Sequence, residues 1–165
     1  KPTTSILAPG GSVVLPPQGL STRVEHEAEL AVVIGSRLRN ASEDEAAAAV
    51  FGLTIACDVT ARDLQKKDGQ WWRAKGMDTF CPVGPVIVSG LAWQELPIVC
   101  TVNGDDRQRG NAADMIFSVP RVLSFVSEAM TLEPGDLVLT GTPEGVGPLR
   151  ALDRLRRSRG RPSRM

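Results

Sequence analysis

Histidine is nearly absent from this 165-residue sequence, and its scarcity excludes several kinds of active site. Because His26 is the only histidine, the chain cannot build a multi-histidine metal site, and any Ser-His-Asp triad would have to use this one imidazole. No apolar run approaches the roughly 18 residues that a transmembrane helix needs. The formal net charge at pH 7 is zero, so no overall field attracts the protein to nucleic acid or to a membrane surface.

Cysteine is also scarce, and its pattern argues against extracellular cross-links. The three cysteines, Cys57, Cys81 and Cys100, are odd in number, widely spaced and surrounded by apolar residues. Such thiols are typical of the reduced core of a cytoplasmic protein and not of a disulfide framework or a zinc site. With 42% apolar and 23% charged residues, the composition is that of one ordinary globular domain, and the 16 glycines and 12 prolines argue against a helical bundle.

The segment 26–35 carries the clearest strand signal of the sequence. Apolar residues fill both faces of residues 30–34, which predicts a strand that is buried on both sides. Glu27 and Glu29 lie two residues apart, so their side chains project from the same face, roughly 6–7 Å apart. Two buried carboxylates repel each other, and a hard cation such as Mg²⁺ or Mn²⁺ would neutralise them. The alternative is an exposed strand start, with these glutamates and Glu25 in water.

Two further charged residues follow apolar or aromatic stretches. Asp58 comes directly after the apolar run 53–57, which predicts a third carboxylate at the end of a buried strand. Lys75 follows two tryptophans, and it is either a partly buried lysine that faces a developing negative charge or a surface lysine. The loop Gly141-Thr142-Pro143 offers backbone N–H groups and a hydroxyl to a carboxylate, but it lacks the Gly-Lys-Ser/Thr ending of a phosphate-binding P-loop.

Local signals predict the remaining elements. Ser42, with a glutamate three residues later, forms a capping box that predicts a helix ending at Gly52. Asn103-Gly104 is the strongest hairpin signal, and apolar residues at helical spacing predict a helix over 119–130. Strands are predicted at 12–15, 53–57, 82–88, 98–102, 106–108 and 137–139.

The end of the chain differs in composition from the rest. Residues 150–165 contain seven arginines and one acidic residue, whereas residues 1–149 carry 12 basic and 18 acidic side chains. This predicts one domain over 1–149 and an arginine-rich, atypical tail over 150–165 that is disordered or weakly helical. A nucleic-acid-binding arm is the alternative, which the absence of interleaved aromatic residues disfavours.

Five longer stretches follow one another in fixed order: HEAELAVVIG (26–35), IACDVTARDLQ (55–65), GQWWRAKGMDTFCPVGP (69–85), VNGDDRQRGNAADMIF (102–117) and MTLEPGDLVLTGTPEGVGP (130–148). Together they resemble the fumarylacetoacetate hydrolase family. Within that family the resemblance is to acylpyruvase, oxaloacetate decarboxylase and 2-hydroxyhepta-2,4-diene-1,7-dioate isomerase types, and it covers nearly all of residues 1–149.

The resemblance implies a fold, a cofactor and a set of site residues. The implied fold is α+β, a mixed β-sandwich roll with a few short helices, usually in a homodimer. The implied ligands are Mg²⁺ or Mn²⁺, with Ca²⁺ as a substitute in a crystal, and a small 2-oxo acid, without nucleic acid or membrane. By this resemblance the metal ligands are Glu27, Glu29 and Asp58, the catalytic and substrate-contacting lysine is Lys75, and the residues that bind or orient the substrate carboxylate are Arg62, Gln65 and Thr142.

The implied chemistry is C–C bond hydrolysis, decarboxylation or isomerisation through an enolate that the metal stabilises, with Lys75 as a second positive charge. Two departures qualify it. The family usually carries an upstream lid segment with a histidine and a glutamate, and this chain begins after it, so we expect decarboxylase or tautomerase activity to be retained better than hydrolase activity. The residues after Leu149 do not resemble the family's closing strands. The alternative is therefore a truncated, non-catalytic protein that keeps the fold and the metal.

Overall fold

A computed structural model describes residues 1–158, in which short strands and helices surround two apolar cores. Within these residues four small sheets combine with four α-helices, so the predicted α+β class is confirmed. The strands are β1 (Ile6–Leu7), β2 (Val24–His26), β3 (Ala28–Ile34), β4 (Val50–Cys57), β5 (Thr60–Ala61), β6 (Cys81–Pro82), β7 (Pro97–Val102), β8 (Asp105–Asn111), β9 (Leu137–Leu139), β10 (Gly147–Pro148) and β11 (Leu155–Ser158). The helices are α1 (Glu43–Ala48), α2 (Arg62–Asp68), α3 (Trp72–Lys75) and α4 (Val119–Ala129), with 3₁₀ turns at Thr3–Ser5 and Ala112–Asp114.

The central sheet places β3 between β4 and β9, and both pairings are antiparallel. Every residue of β3 is buried, as its unbroken apolar run predicts. Ala28 lies opposite Cys57, and this register brings Asp58 next to Glu27, whose carbonyl accepts a hydrogen bond from the Asp58 N–H at 2.8 Å. The predicted strand is therefore confirmed, but it is divided into β2 and β3 at Glu27.

The hairpin predicted at Asn103-Gly104 joins β7 to β8. Both turn residues have positive φ, 57° and 96°, which is the conformation that favours Asn-Gly in a two-residue hairpin. The pairing of β7 with β8 brings the buried Gln108 opposite Cys100. This hairpin therefore carries a polar side chain into the interior, next to the strand with the glutamates.

The larger core lies between the central sheet and the predicted main helix, observed as α4. Val119 and Leu123 on the buried side of α4 belong to the same apolar cluster as Leu30 and Val32 of β3. Their helical spacing follows the four-residue repeat of an amphipathic helix. This packing fixes β3, and through β3 it fixes the two glutamates at its start.

The predicted capping box is present at the start of α1. The Ser42 hydroxyl accepts from the Glu45 N–H at 3.3 Å, and the Glu45 carboxylate accepts from the Ser42 N–H at 2.8 Å. Each bond satisfies a donor that would otherwise lack a partner at the helix start. The local sequence alone thus determines where α1 begins.

We predict that Ser42→Ala lowers the free energy of unfolding by about 1 kcal/mol, because the first turn of α1 loses its cap. Urea unfolding followed by circular dichroism measures this change. Ser36→Ala, at an exposed position outside the helices, is the control and should change the value by less than about 0.5 kcal/mol. Equal effects of the two substitutions would contradict the capping role.

Gly52 does not end α1, contrary to the prediction; it lies inside β4. A Cβ atom at Gly52 would lie 2.8 Å from the carbonyl oxygen of Val88, and Leu53 pairs with Val88 in an isolated bridge. Gly52 is therefore required for the close approach of two backbones and does not serve as a helix stop.

Two predicted strands are wrong in extent. Residues 12–15 form no strand, and residues 82–88 contribute only Pro82 to β6 plus isolated bridges at Val83 and Val88. Pro85 within the second segment has no N–H to donate to a neighbouring strand, which explains the interruption.

The predicted disorder of the tail is wrong for residues 155–158, which form β11 antiparallel to β7. Leu155 lies opposite Val102 and packs against the core, and the Arg154 carbonyl accepts from the Asn103 N–H at 2.9 Å. Strand pairing uses backbone groups that every sequence has, so the arginine content gave no warning of it. Residues 150–154 of the predicted tail precede this strand, and residues 159–165 lie outside the described residues.

None of the helices in the described part of the chain has the length and apolar character needed to cross a bilayer.

Candidate active site

Glu27, Glu29 and Asp58 come together, as the resemblance predicted. One carboxylate oxygen of each lies within 4.8 Å of the others. Glu27 and Glu29 share one face at the start of β3, and the pairing of β3 with β4 supplies Asp58 from the neighbouring strand end. Both glutamates are buried, so the alternative of an exposed strand start is wrong.

Glu29 is a buried carboxyl group whose pKa lies well above its usual range. Burial, together with the nearby Asp58 and Glu27, raises the pKa of Glu29 to about 7, against the lowering effects of the hydrogen bond from the Gly141 N–H at 2.8 Å and of Lys75. A cation beside this carboxyl group would stabilise its charged form.

Lys75, at the end of α3, lies between two of the three carboxylates. Its ammonium donates to Glu27 Oε2 at 2.9 Å and also to Asp58 Oδ2. Burial alone would lower the pKa of Lys75, but the hydrogen bonds to Asp58 and Glu27 raise it, so the lysine stays charged. The Trp71 ring lies 5.8 Å from the ammonium on another side. The sequence alternative of a plain surface lysine is therefore wrong.

A second lysine, Lys1, holds Asp58 from the opposite direction, and sequence reasoning missed it. Its ammonium lies 2.8 Å from Asp58 Oδ1, but it donates its hydrogens to the backbone carbonyls of Val59 at 3.0 Å, Phe80 at 2.8 Å and Lys75. The Lys1 and Lys75 ammonium groups thus form ion pairs with the two different oxygens of Asp58.

Arg62, predicted to bind substrate, is committed to the protein's own carboxylates in this structure. At the start of α2, its guanidinium donates to Glu25 Oε2 at 2.7 Å, to Glu27 Oε1 and to the side-chain oxygen of Gln65. Burial would raise the pKa of Glu25, but the hydrogen bonds from Arg62 and Arg23 lower it below its usual range. Glu25 was expected only as a wet carboxylate, and it is the anchor of this arginine.

The Gly141-Thr142-Pro143 loop lies against the same group, as predicted, but the Thr142 hydroxyl is used internally. It donates to the Ala28 carbonyl at 2.8 Å and accepts from Gln108 Nε2 at 2.7 Å. The predicted contact of this hydroxyl with a substrate carboxylate would therefore have to replace the bond to Ala28. Gln108 was not predicted; its only sequence signal is a polar residue in a strand position that faces inward.

His26 points away from the three carboxylates, as strand alternation predicts. Its Nδ1 lies 2.9 Å from Gln108 Oε1, in the buried interior. A cavity of about 640 Å³ instead opens beside Asp58 and Lys75, with Trp71 and Trp72 in its wall. This space is large enough for a small organic acid.

The balance of charge tests whether the site fits a divalent cation. Apart from the exposed Arg23, the charged groups that meet here are Glu25, Glu27, Glu29, Asp58, Lys1, Arg62 and Lys75. Four carboxylates against three cations leave one negative charge when all are ionised. A divalent cation would turn this into one positive charge, which suits an anionic substrate. The oxygen donors and their spacing fit Mg²⁺ or Mn²⁺.

The three cysteines lie outside this chemistry. All are free and buried, and burial raises the pKa of the thiol of Cys57 to about 12 and that of Cys100 to about 11. Burial likewise raises the pKa of Cys81. The thiolate is the reactive form, so these groups are inert structural residues.

We predict that none of the three thiols reacts with Ellman's reagent within minutes at pH 8 in the folded protein, while all three react in guanidinium chloride. The physical reason is the lack of access combined with the raised pKa values. The absorbance of the released thionitrobenzoate counts the reacting thiols. Rapid reaction of one thiol in the native protein would show that the interior around it opens.

Sequence comparison identifies the family to which this arrangement belongs. A family model described as the fumarylacetoacetate (FAA) hydrolase C-terminal domain matches residues 1–162. The chain belongs to the fumarylacetoacetate hydrolase family.

Three relatives give this membership more detail. An uncharacterized protein of Methanocaldococcus jannaschii is 50% identical over 153 residues, which cover 93% of this chain and 64% of the relative. An oxaloacetate tautomerase of Bacillus subtilis is 46% identical over 140 residues, which cover 83% of this chain and 46% of the relative. The crystal structure of a 5-carboxymethyl-2-hydroxymuconate delta-isomerase from Mycobacterium smegmatis matches with a TM-score of 0.93 and 45% identity, over 96% of this chain and 62% of that one. This chain thus spans less than two thirds of each of these relatives.

Proposed function

We propose that this protein is a divalent-metal-dependent enzyme that acts on small 2-oxo acids. The observation that carries the proposal is the convergence of three carboxylate oxygens within 4.8 Å, with the charged Lys75 between two of them. Membership of a family that includes an oxaloacetate tautomerase and a hydroxymuconate isomerase supports it.

Each residue of the group has a role in this proposal. Glu27, Glu29 and Asp58 hold the cation. The cation, when bound, supplies the Lewis acid that favours removal of a proton next to the 2-oxo group. Lys75, which its ion pairs keep charged, places a second positive charge near the oxygen on which negative charge develops.

The other predicted residues bind or orient the substrate carboxylate, and Gln65 is the one that would contact it directly. Gln65 uses its side-chain oxygen for Arg62 and so keeps its amide hydrogens for a ligand. Arg62 orients this amide and neutralises Glu27 on the side away from Lys75. The loop that contains Thr142 packs against the carboxylates at Glu29, to which its Gly141 N–H donates. Orientation of this kind contributes to the rate by positioning the reacting atoms.

Isomerisation between enol and keto forms is the reaction that we favour over C–C bond hydrolysis or decarboxylation. It moves one proton between carbon and oxygen and needs an electron sink with a positioned acid and base, but no activated water. The two relatives with named activities described above are a tautomerase and an isomerase. Hydrolysis would also require a base that positions water, and His26 faces away from the carboxylates.

The alternative is a non-catalytic protein that retains the fold and the metal. Glu27, Glu29 and Asp58 converge, and Lys75 forms ion pairs with Glu27 and Asp58, which favours the enzyme. The homodimer, the cytoplasmic location and the choice between Mg²⁺ and Mn²⁺ stay predictions.

The decisive experiment follows the enol form of oxaloacetate by its ultraviolet absorbance, with Mn²⁺, with Mg²⁺ and with a chelator. We expect the protein to speed the decay of the enol with either metal and to lose this activity with the chelator. Pyruvate release is measured in parallel, because it reports decarboxylation of the same substrate. Metal binding without turnover of oxaloacetate or of an acylpyruvate would favour the non-catalytic alternative.

A further inference from the structure

Gln108 is a fully buried polar side chain that lies between the strand with the glutamates and the loop at residues 141–143. It is 1% exposed. Its oxygen Oε1 lies 3.0 Å from the Ala28 N–H and 2.9 Å from His26 Nδ1. Its nitrogen Nε2 donates to Thr142 Oγ1 at 2.7 Å and to the Pro143 carbonyl at 2.8 Å. All four hydrogen bonds that a primary amide can make are therefore present.

The backbone of Ala28 fixes the orientation of this amide. Because the Ala28 N–H can only donate, the atom of Gln108 that faces it must be the oxygen, and His26 must then carry its hydrogen on Nδ1. The amide nitrogen is thereby directed at the loop. Thr142 completes a closed ring, since its hydroxyl donates to the carbonyl of the same Ala28.

The backbone contacts around Gln108 show independently that the loop is packed tightly onto β8. A Cβ atom at Gly145 would lie 2.0 Å from the Arg107 carbonyl oxygen, and one at Gly110 would lie 2.6 Å from the Pro143 side chain. Glycines on both sides thus allow the close approach, and Gln108 makes the polar contacts between them.

The loop reaches the three carboxylates through its first residue. The Gly141 N–H donates to Glu29 Oε2 at 2.8 Å, immediately before the residue that Gln108 holds. Ala28, on the other side of Gln108, lies between Glu27 and Glu29 in the chain. The Gln108 side chain therefore connects the backbone between Glu27 and Glu29 to the 141–143 loop, and it contacts none of the three carboxylates itself.

We propose that Gln108 is a positioning residue that sets the 141–143 loop against Glu29 and so determines how a 2-oxo acid is held. The role in substrate binding rests on the proposed function above. Gln108 acts through Thr142 and Gly141, so its loss changes the geometry of the site and leaves its charged groups in place.

The test compares Gln108→Met with Ser127→Ala in the purified protein. Ser127 is fully buried, and its hydroxyl accepts from the Ala41 N–H at 2.9 Å and donates to the Ser124 carbonyl at 2.7 Å. Because these partners belong neither to Gln108 nor to the loop, its loss controls for general destabilisation. The first measurement is amide hydrogen exchange of Gly141 by NMR, relative to the Thr140 N–H, which donates to Leu30. The second is the steady-state KM and kcat for oxaloacetate with Mn²⁺.

We expect Gln108→Met to speed Gly141 exchange relative to Thr140, because the loop loses two hydrogen bonds. We also expect it to raise KM by about 10-fold, the lower end of the effect of removing an outer-shell partner, with kcat within about threefold. Ser127→Ala should leave both ratios as in the wild type. Unchanged Gly141 exchange, an unchanged KM, or the same changes in Ser127→Ala would overturn the proposal.

Two further measurements test the proposal if the Gln108→Met variant does not fold or if the proposed function is wrong. If Gln108→Met does not fold, the His26 tautomer is read in the wild type by ¹⁵N NMR: hydrogen on Nδ1 supports the arrangement, and hydrogen on Nε2 overturns it. If the wild type does not turn over oxaloacetate, the proposed function fails, and the exchange of Gly141 alone decides whether Gln108 holds the loop.

Discussion

Glu27→Ala should abolish both Mn²⁺ binding and turnover of 2-oxo acids. The substitution removes one of three carboxylates that converge within 4.8 Å, and it also removes the common partner of Lys75 and Arg62. Outer-shell substitutions weaken metal binding by about 10- to 100-fold, so loss of a direct ligand should weaken it by more than about 100-fold. Isothermal titration calorimetry with Mn²⁺ measures the affinity, and the oxaloacetate assay measures turnover.

Glu133→Gln is the matched control for this loss of charge. Glu133 is an exposed carboxylate whose ion pair with Arg37 has an N–O distance of 3.2 Å, and such surface pairs contribute little. It should bind Mn²⁺ like the wild type. If Glu27→Ala binds Mn²⁺ with unchanged affinity, the assignment of the ion to this group of carboxylates is wrong.

Lys75→Met should separate metal binding from catalysis. Loss of the ammonium removes a positive charge from between Glu27 and Asp58, so the carboxylates become more available to a cation and the affinity for Mn²⁺ should hold or increase. The same loss removes a charge that would stabilise developing negative charge on the substrate. We therefore expect kcat to fall by about 100-fold or more, the usual effect of deleting one such group.

Stopped-flow kinetics and Mn²⁺ titration of the same preparation measure the two effects. Lys66→Met, at an exposed position of α2, is the control and should change neither. Equal losses of affinity and of kcat in Lys75→Met would indicate that the lysine only maintains the structure of the site, and activity equal to that of the wild type would remove it from the mechanism.

Part of this site was predictable because it depends on local rules. The two-residue spacing of Glu27 and Glu29 follows from strand geometry, and Asp58 follows from the end of an apolar run. That all three meet was implied by the family resemblance, because strand register is a property of the folded sheet.

The residues that sequence reasoning missed act over long distances in the chain. Gln108 bonds to Ala28, 80 residues away, and Lys1 bonds to Phe80, 79 residues away. No periodicity or motif reports such pairs, because they depend on how separate elements pack. Glu25 of β2 was visible as a third glutamate on the same face, but Arg62, which neutralises it, comes from α2.

For the tail, the sequence led to a wrong prediction. Its composition predicted disorder, yet β11 pairs with β7 over residues 155–158. Composition reports the cost of burying side chains, whereas this strand forms through backbone hydrogen bonds. Of its two arginines, Arg156 is exposed, and the half-buried Arg157 donates to the Pro82 carbonyl at 2.7 Å. A free edge of β7 was the missing information.

The most direct test of the account is a crystal structure of the protein grown with Mn²⁺, with anomalous diffraction collected at the manganese edge. We predict one anomalous peak per chain, within bonding distance of Glu27, Glu29 and Asp58, with the Lys75 ammonium moved away from between Glu27 and Asp58. A peak at other residues, or no peak at millimolar Mn²⁺ with the Lys75 ion pairs intact, would contradict the assignment of this group as a metal centre.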